Sequence, residues 1–165
     1  MYLGTDARVG WGYDVHRFDD EPPLILAGVE VDGTRGLAAT SDGDAVAHAV
    51  VDAVLGASGL GDIGEFFPSD DPRWEGADSM EMVREAAMAA HGAGWYVAGC
   101  DVTVVAETVL ISPHRKDMRD NLADCLGVAE PESVSVKATT TDGLGFTGRD
   151  EGIAVTAVTL LRSLD

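Results

Sequence analysis

The sequence predicts an α+β fold, an α/β sandwich in which a mixed β-sheet carries helices on one face. Two kinds of segment follow one another along the chain. In one, apolar and polar residues alternate, which is the strand period; in the other, apolar residues recur at helical spacing. Each predicted helix has one apolar face to lay on a sheet. We find no internal repeat and no composition shift in the 165 residues, so we expect one domain over residues 1–165.

The predicted strands are short, alternating and bounded by glycine, proline or polar residues. Within the first strand, Gly10 and Gly12 suggest that another part of the backbone approaches closely. The predicted strands cover residues 8–14, 24–28, 29–31, 95–105, 133–140 and 152–161.

Three helices are predicted between these strands. The first spans residues 44–58 and follows a Ser-Asp-Gly-Asp turn. The second begins at Asp78, which with Glu81 resembles a capping box, and ends near Gly92 or Gly94. The third starts with Ser112 and Pro113 as cap and first turn and is closed by Gly127. Residues 32–44 and 59–77 are predicted loops, and the second is long enough to suggest a functional lid.

The composition limits the partners. The formal net charge is −18, from 29 acidic and 11 basic residues. Such a charge repels phosphate backbones and anionic membranes, so we expect neither nucleic acid nor membrane partners. The lysine-poor surface would also suit a salt-rich cytoplasm. With no basic-then-apolar leader in residues 1–6, we expect a cytoplasmic protein whose Cys100 and Cys125 are core residues.

Asp14 and His16 lie two residues apart on the first strand, so both side chains point to one face. His48 lies in the first predicted helix. Two imidazoles and one carboxylate leave a fourth zinc position open, which is the catalytic pattern. Taken alone, the Asp-x-His pair is more often an exposed polar pair. Asp52, one turn after His48, either orients that histidine or is a solvated surface charge.

A second group of residues suits phosphate chemistry. Thr139, Thr140 and Thr141 end a predicted strand, where hydroxyls and backbone amides can hold phosphate oxygens. Asp142 offers the hard oxygen that magnesium prefers. An acidic protein needs cations to bind an anionic substrate, and metals together with Lys137 and Arg149 would supply them. The alternative is that these threonines only end a strand and that the segment after them is a turn with no role in binding.

Together these segments resemble the 2-C-methyl-D-erythritol 2,4-cyclodiphosphate synthase family over essentially the whole chain. So many matching segments, in the same order and at the same spacing, are very specific for this family. The matching segments are Gly-Tyr-Asp-Val-His at 12–16, Ser-Asp-Gly-Asp at 41–44, Leu-Gly-Asp-Ile-Gly at 60–64, Phe-Pro at 67–68, Gly-Ala-Asp-Ser at 76–79, Lys-Ala-Thr-Thr-Thr at 137–141, Leu-Gly-Phe-Thr-Gly-Arg at 144–149 and Glu-Gly-Ile-Ala at 151–154.

The resemblance implies a homotrimer with active sites between subunits, and a reaction of 4-diphosphocytidyl-2-C-methyl-D-erythritol 2-phosphate. Its 2-phosphate attacks the β-phosphorus, which closes an eight-membered cyclodiphosphate and expels CMP. The reaction is intramolecular, so it needs alignment and charge neutralisation more than a nucleophile or a strong base.

The resemblance also assigns residues. One divalent metal per subunit, expected to be Zn²⁺, would bind Asp14, His16 and His48, while Asp142 would contact Mg²⁺ or Mn²⁺ on the diphosphate. Thr140 would stabilise the transition state. The expected substrate-binding residues are Ser41, Asp62, Ile63, Gly64, Phe67 and Asp71, then Ala106, Leu110, Ile111, Ser112, Ala138 and Thr139 around cytosine, and Phe146 and Arg149 at a central channel that in the family can hold an isoprenoid diphosphate.

The chain departs from the family pattern at a few positions. Thr40 replaces a histidine that helps stabilise the reacting phosphates, and it is expected to bond them as a neutral donor. Asp142 replaces glutamate, which shortens its reach, and Asp150 replaces glycine near the channel. Segment 108–112 lacks a lysine that many relatives carry. Two alternatives stay open: a non-catalytic relative that binds a cytidine nucleotide or isoprenoid diphosphate, and a generic zinc hydrolase.

Overall fold

The structure, a computed structural model, describes residues 6–164, so the expectation about a leader falls almost entirely outside the described residues. The described strands are β1 (Ala7–Asp19), β2 (Leu24–Leu26), β3 (Val29–Asp32), β4 (Gly36–Leu37), β5 (Trp95–Val105), β6 (Val134–Thr139) and β7 (Gly152–Ser163). The described helices are α1 (Ala45–Ser58), α2 (Ile63–Phe66), α3 (Ser79–Gly92), α4 (Arg115–Leu126) and α5 (Gly145–Gly148).

Five of the described strands form one mixed sheet in the order β4-β1-β7-β5-β6, as the α+β prediction required. The β5–β6 pair is parallel, and the other neighbours are antiparallel. The strands β2 and β3, which correspond to the strands predicted at 24–28 and 29–31, form a separate antiparallel hairpin. The strand prediction stopped β1 five residues too early and missed β4 inside the loop at 32–44.

The long helices cover one face of the sheet, and the core lies between the two layers. Gly10 and Gly12 allow α1 to touch β1 directly. A Cβ atom at Gly12 would lie 1.9 Å from the Ala49 carbonyl oxygen, and one at Gly10 would lie 1.9 Å from that of Ala53. The close approach that the two glycines suggested is therefore present, and it places the helix that carries His48 against the strand that carries His16.

The helix starts were predicted unevenly. Asp44 and Asp78 both cap their helices. The capping box at Asp78 is incomplete, because Asp78 accepts from the Met80 amide and the carboxylate of Glu81 contacts Arg84 instead of reaching back to the cap. The prediction that Ser112 caps the third helix was wrong. Residues 112–114 form a 3₁₀ turn, and within the described chain neither this turn nor α4 has a side-chain cap. The residue before each has helical backbone angles, whereas an N-cap is typically extended.

Among residues 6–164, no helix is both long and apolar enough to cross a bilayer. Cys100 and Cys125 are buried free thiols, as expected, and burial raises the pKa of Cys100 to about 12.

Asp44 joins the start of α1 to the β2–β3 hairpin. Its side chain is fully buried, and its carboxylate accepts from the amides of Ala27 at 2.9 Å, Gly28 at 2.8 Å and Ala47 at 2.9 Å. Burial raises the pKa of Asp44 to about 6, although the three amides oppose this shift. The carboxylate is therefore a structural anchor between the start of α1 and the β2–β3 hairpin.

Replacing Asp44 with asparagine should lower the free energy of unfolding by about 1–3 kcal/mol, because one amide group would face a donor instead of an acceptor. Urea denaturation measures the loss, with the exposed Asp117→Asn on α4 as the matched control. Equal stability of the two variants would contradict the anchoring role.

Candidate metal centre

Asp14, His16 and His48 form a cluster in which one ligand atom of each side chain lies within 4.8 Å of the others. Oδ2 of Asp14 is 2.8 Å from Nε2 of His16 and 3.4 Å from Nδ1 of His48. The two ring nitrogens are 3.2 Å apart. The strand period places Asp14 and His16 on one face, and the contact of α1 with the glycines of β1 brings His48 to them.

The cluster fits a divalent metal. Oδ2 of Asp14 is buried, and among the described residues it accepts no hydrogen bond of good geometry although two imidazole nitrogens lie beside it. Nδ1 of His16 is 2.9 Å from the Ala38 carbonyl oxygen, which can only accept, so this nitrogen carries the hydrogen and Nε2 is left as a ligand. A metal ion would satisfy all three converging atoms.

The electrostatics of the cluster also favour a cation. Burial acts to raise the pKa of Asp14, but the adjacent imidazoles of His16 and His48 outweigh it and lower that pKa. Burial acts to lower the pKa of His16, but the carboxylate of Asp14 outweighs it and raises that pKa. The aspartate therefore stays ionised and stabilises positive charge beside it.

The two histidines open into a cavity of about 350 Å³. Five predicted residues line it: Thr40, Ser41, Ile63, Gly64 and Phe67. Four further lining residues were missed: Ala39, Ser69, Trp74 and Met82. Ser69 and Trp74 lie in the loop at 59–77 whose length already suggested a lid, so that signal was available, whereas nothing in the local pattern marks Met82.

Two more predicted residues lie on the same loop but outside this lining. Asp62 is exposed and caps α2 through the Glu65 amide at 2.9 Å. Asp71 binds the guanidinium of Arg73 at 2.6 Å, and this contact lowers the pKa of Asp71. Both carboxylates organise the loop that covers the cavity.

Neither interpretation of Asp52 was right. Its carboxylate accepts from the Ile63 amide at 2.9 Å and is half-buried, so it is not a solvated charge. It does not orient His48 either, because the outer nitrogen of that ring lies 3.1 Å from Ser41 Oγ and 3.0 Å from Ser79 Oγ. Asp52 points along α1 to the start of α2, and it anchors the covering loop instead.

The second predicted group lies at the ends of β5 and β6. Ala106 donates its amide to the Thr139 carbonyl at 3.0 Å, and Ala138 is paired with Val104. Leu110 and Ser112 are exposed, whereas Ile111 is only 2% exposed, so its side chain belongs to the core.

Thr140 and Asp142 are exposed in the turn after β6. The hydroxyl of Thr140 is 3.3 Å from Oδ1 of Asp142, which has a positive φ of 53°. Glu107 accepts from the amides of Thr141 at 3.4 Å and Gly143 at 3.2 Å, so it holds the turn in place. No local pattern marked Glu107, because it acts on residues 34 or more positions away.

The basic residues offered as free positive charge are already paired. Lys137 binds Asp101 at 2.6 Å, and Arg149 binds Glu151 at 2.7 Å. The amide of Glu151 donates to the carbonyl of the half-buried Phe146. The two ion pairs weaken the expectation that Lys137 and Arg149 neutralise substrate, and they increase the need for metal ions.

Asp150 also has a partner. It binds Arg35 at 2.8 Å and the Thr108 hydroxyl at 2.8 Å, and its positive φ of 56° explains why glycine suits this position. Burial acts to raise the pKa of Asp150, but Arg35 outweighs it and lowers that pKa.

The two groups are not adjacent within this chain. His16 lies opposite Ile153 in β7, whose neighbour Ala154 lies opposite Val105 in β5, which in turn pairs with Thr139. Three strand spacings of about 4.8 Å therefore separate the metal cluster from the end of β6 by about 14 Å. The sheet places both groups at the same end but on different strands.

Comparisons with a family model, with curated proteins and with solved structures all give the same family. The YgbB family model matches residues 7–162. A 2-C-methyl-D-erythritol 2,4-cyclodiphosphate synthase from Idiomarina loihiensis is 52% identical over 94% of this chain and 98% of its own length.

Solved structures agree in fold. The bifunctional IspDF of Campylobacter jejuni has a TM-score of 0.94 at 41% identity, over 98% of this chain but 44% of its own. A CDP complex of Plasmodium falciparum IspF has a TM-score of 0.83 at 31% identity, over 98% of this chain and 99% of its own. The chain therefore belongs to the YgbB family, together with the 2-C-methyl-D-erythritol 2,4-cyclodiphosphate synthases.

Proposed function

We propose that this chain is an enzyme that converts 4-diphosphocytidyl-2-C-methyl-D-erythritol 2-phosphate to 2-C-methyl-D-erythritol 2,4-cyclodiphosphate and CMP. The observation that carries the proposal is the cluster of Asp14, His16 and His48 at the cavity that Thr40 and Ser41 also line, in a member of this family. In the reaction, an oxygen of the 2-phosphate forms a bond to the β-phosphorus. The bond from that phosphorus to the oxygen bridging to the α-phosphate breaks, and the electron pair leaves with CMP.

Asp14, His16 and His48 would hold one divalent metal ion, which we expect to be Zn²⁺. When bound, such an ion supplies positive charge that orients and polarises phosphate oxygens. The chain itself contributes alignment. Thr40 and Ser41 present hydroxyls at the cavity, where they can donate to phosphate oxygens without adding charge. Holding two reacting groups of one molecule in line lowers the activation barrier by a large part, so no nucleophilic side chain is required.

The turn after β6 would serve the leaving side of the reaction. Asp142 is exposed and its carboxylate is available to a Mg²⁺ or Mn²⁺ ion carried by the diphosphate. The Thr140 hydroxyl lies next to this carboxylate and can donate to a phosphate oxygen as charge develops. Segment 106–112 with residues 138–139 would hold the cytosine by backbone and apolar contacts.

We further propose a homotrimer in which one copy supplies the metal cluster and a neighbour supplies the turn after β6. Support comes from the separation of about 14 Å between the two groups and from the sheet face opposite α1. That face exposes a contiguous apolar patch formed by Val9, Trp11, Tyr13, Val15 and Val158, which are 41–69% exposed. Patches of this kind usually mark interfaces between proteins.

The trimer makes a direct prediction. A Trp11→Glu substitution places a charge in the centre of the patch, so it should reduce the native mass from about three chains to one and lower CMP release by at least an order of magnitude. Analytical ultracentrifugation measures the mass. Met88→Glu on α3, which is 60% exposed but outside the patch, should leave both quantities unchanged. A native mass unaffected by Trp11→Glu would remove this face from the interface.

The proposed activity is tested by incubating the purified protein with the substrate, Zn²⁺ and Mg²⁺ and following CMP by chromatography. We expect equimolar CMP and cyclodiphosphate, both abolished by a chelator and restored by Zn²⁺. Nucleotide binding without CMP release would favour the non-catalytic alternative, and release of inorganic phosphate would favour a hydrolase.

A further inference from the structure

The outer nitrogen of His48, Nε2, belongs to a chain of hydrogen bonds that extends away from the metal cluster. Nε2 lies 3.0 Å from Oγ of Ser79, the first residue of α3. That hydroxyl lies 2.5 Å from Oδ1 of Asp42, whose Oδ2 accepts the Ser79 amide at 3.1 Å. Ser79 is fully buried, so it has no access to water as an alternative partner.

The direction of these bonds follows from the number of hydrogens. A serine hydroxyl has one hydrogen to donate, and an ionised carboxylate can only accept. The shortest contact of Ser79 is the one to Asp42, so its hydrogen points there. Ser79 can then only accept from His48, which requires that Nε2 of His48 carries the hydrogen.

Ser41 is compatible with the same assignment. Its hydroxyl lies 3.1 Å from Nε2 of His48 and 3.3 Å from Oγ of Ser79. If Nε2 lacked its hydrogen, its lone pair would face that of Ser79 at 3.0 Å, which is repulsive. With the hydrogen on Nε2, both serines act as acceptors and every contact is satisfied.

We propose that Asp42, acting through Ser79, is a positioning residue that holds His48 with its hydrogen on Nε2 and its Nδ1 lone pair directed at Asp14 and His16. The inference rests on the proposed function in one respect, namely that these three side chains bind a metal. His16 is oriented by the opposite arrangement, since its Nδ1 donates to Ala38. The two histidines therefore use different nitrogens toward the same centre.

Histidine ¹⁵N–¹H correlation spectra of the Zn²⁺-loaded protein test the assignment, because the ring nitrogen that carries the hydrogen and the one that faces the metal give different cross-peak patterns. We expect the Nε2–H form for His48 and the Nδ1–H form for His16. In Ser79→Ala, the His48 pattern should shift toward a mixture while that of His16 stays unchanged. An Nδ1–H form of His48 in the wild-type protein would overturn the proposal without any variant.

Zn²⁺ affinity, measured by chelator competition, gives the functional consequence. We expect Ser79→Ala to weaken it about 10–100-fold, the usual effect of losing a group that orients a metal ligand. Asp42→Asn should act in the same direction, because an amide is a weaker acceptor for Ser79. Ser41→Ala is the matched control, since it removes a contact to the same nitrogen but leaves the link to Asp42, and it should weaken binding less than threefold.

The outcomes separate this inference from the proposed function. An unchanged spectrum and unchanged Zn²⁺ affinity in Ser79→Ala would overturn the positioning role even if the protein releases CMP. Conversely, a wild-type protein that binds Zn²⁺ with the Nε2–H form of His48, but releases no CMP, would support the orientation of His48 and overturn the proposed activity.

Discussion

Replacing His48 with alanine should abolish CMP release and weaken Zn²⁺ binding by more than about a hundredfold, since loss of an outer orienting group alone costs about 10–100-fold. His48 supplies one of three converging ligand atoms, and its side chain lies at the edge of the cavity rather than in the core. The native mass should therefore stay that of the wild-type protein. Chelator competition, product chromatography and ultracentrifugation measure the three quantities.

The matched control is His91→Ala, because His91 lies exposed on α3 away from the cluster. It should retain wild-type metal affinity and turnover. If His48→Ala instead dissociated the assembly, the metal would have a structural role. Wild-type CMP release by His48→Ala would remove the cluster from the reaction altogether.

Replacing Gly12 with alanine should destabilise the protein by at least about 1–3 kcal/mol, the cost of overpacking a core, and should weaken Zn²⁺ binding as well. The added Cβ would lie 1.9 Å from the Ala49 carbonyl oxygen and 2.9 Å from the Ala53 amide nitrogen. Backbone at this distance cannot give way locally, so α1 must move away from β1. Because α1 carries His48 and β1 carries Asp14, that movement separates the ligands.

Gly56→Ala is a sharp control for this prediction. Gly56 lies in the same helix, yet a Cβ there would meet nothing within 4 Å. It should leave metal binding unchanged and add up to about 1 kcal/mol of stability, the usual gain of alanine over glycine in a helix. Denaturation must be compared at one protein concentration, because assembly contributes to apparent stability. A Gly12→Ala variant as stable as Gly56→Ala would contradict direct helix–strand contact.

Much of the local structure could be predicted because it depends on short-range chemistry. Strand alternation identified β5 to the residue, while the Ser-Asp-Gly-Asp turn and the Asp78 cap placed the starts of α1 and α3. The cap predicted at Ser112 failed because it assumed an extended backbone where the chain is already helical. Residue type alone does not specify the backbone conformation that a cap needs.

The residues of the candidate site also differ in whether local sequence could predict them. The spacing of Asp14 and His16 required only the strand period, and His48 was added as the metal-binding residue type in the first predicted helix. The partner of His48 could not be inferred in this way. Asp52 lies one helical turn away in sequence, but the ring contacts Ser79, 31 residues along the chain. Likewise, the pairing of Lys137 with Asp101 joins residues 36 apart.

The sequence by itself determined the fold class, the family and the identity of the three metal-cluster residues, because periodicity, caps and ordered motifs are written in neighbouring positions. Only the tertiary structure decided how those residues are oriented. The contact of α1 with Gly12 sets the distance between the ligands. The start of α3 brings Ser79 to the far side of His48, where it meets Asp42 from the turn before α1. Orientation depends on groups that folding brings together from distant segments, and no local pattern records which of them will meet.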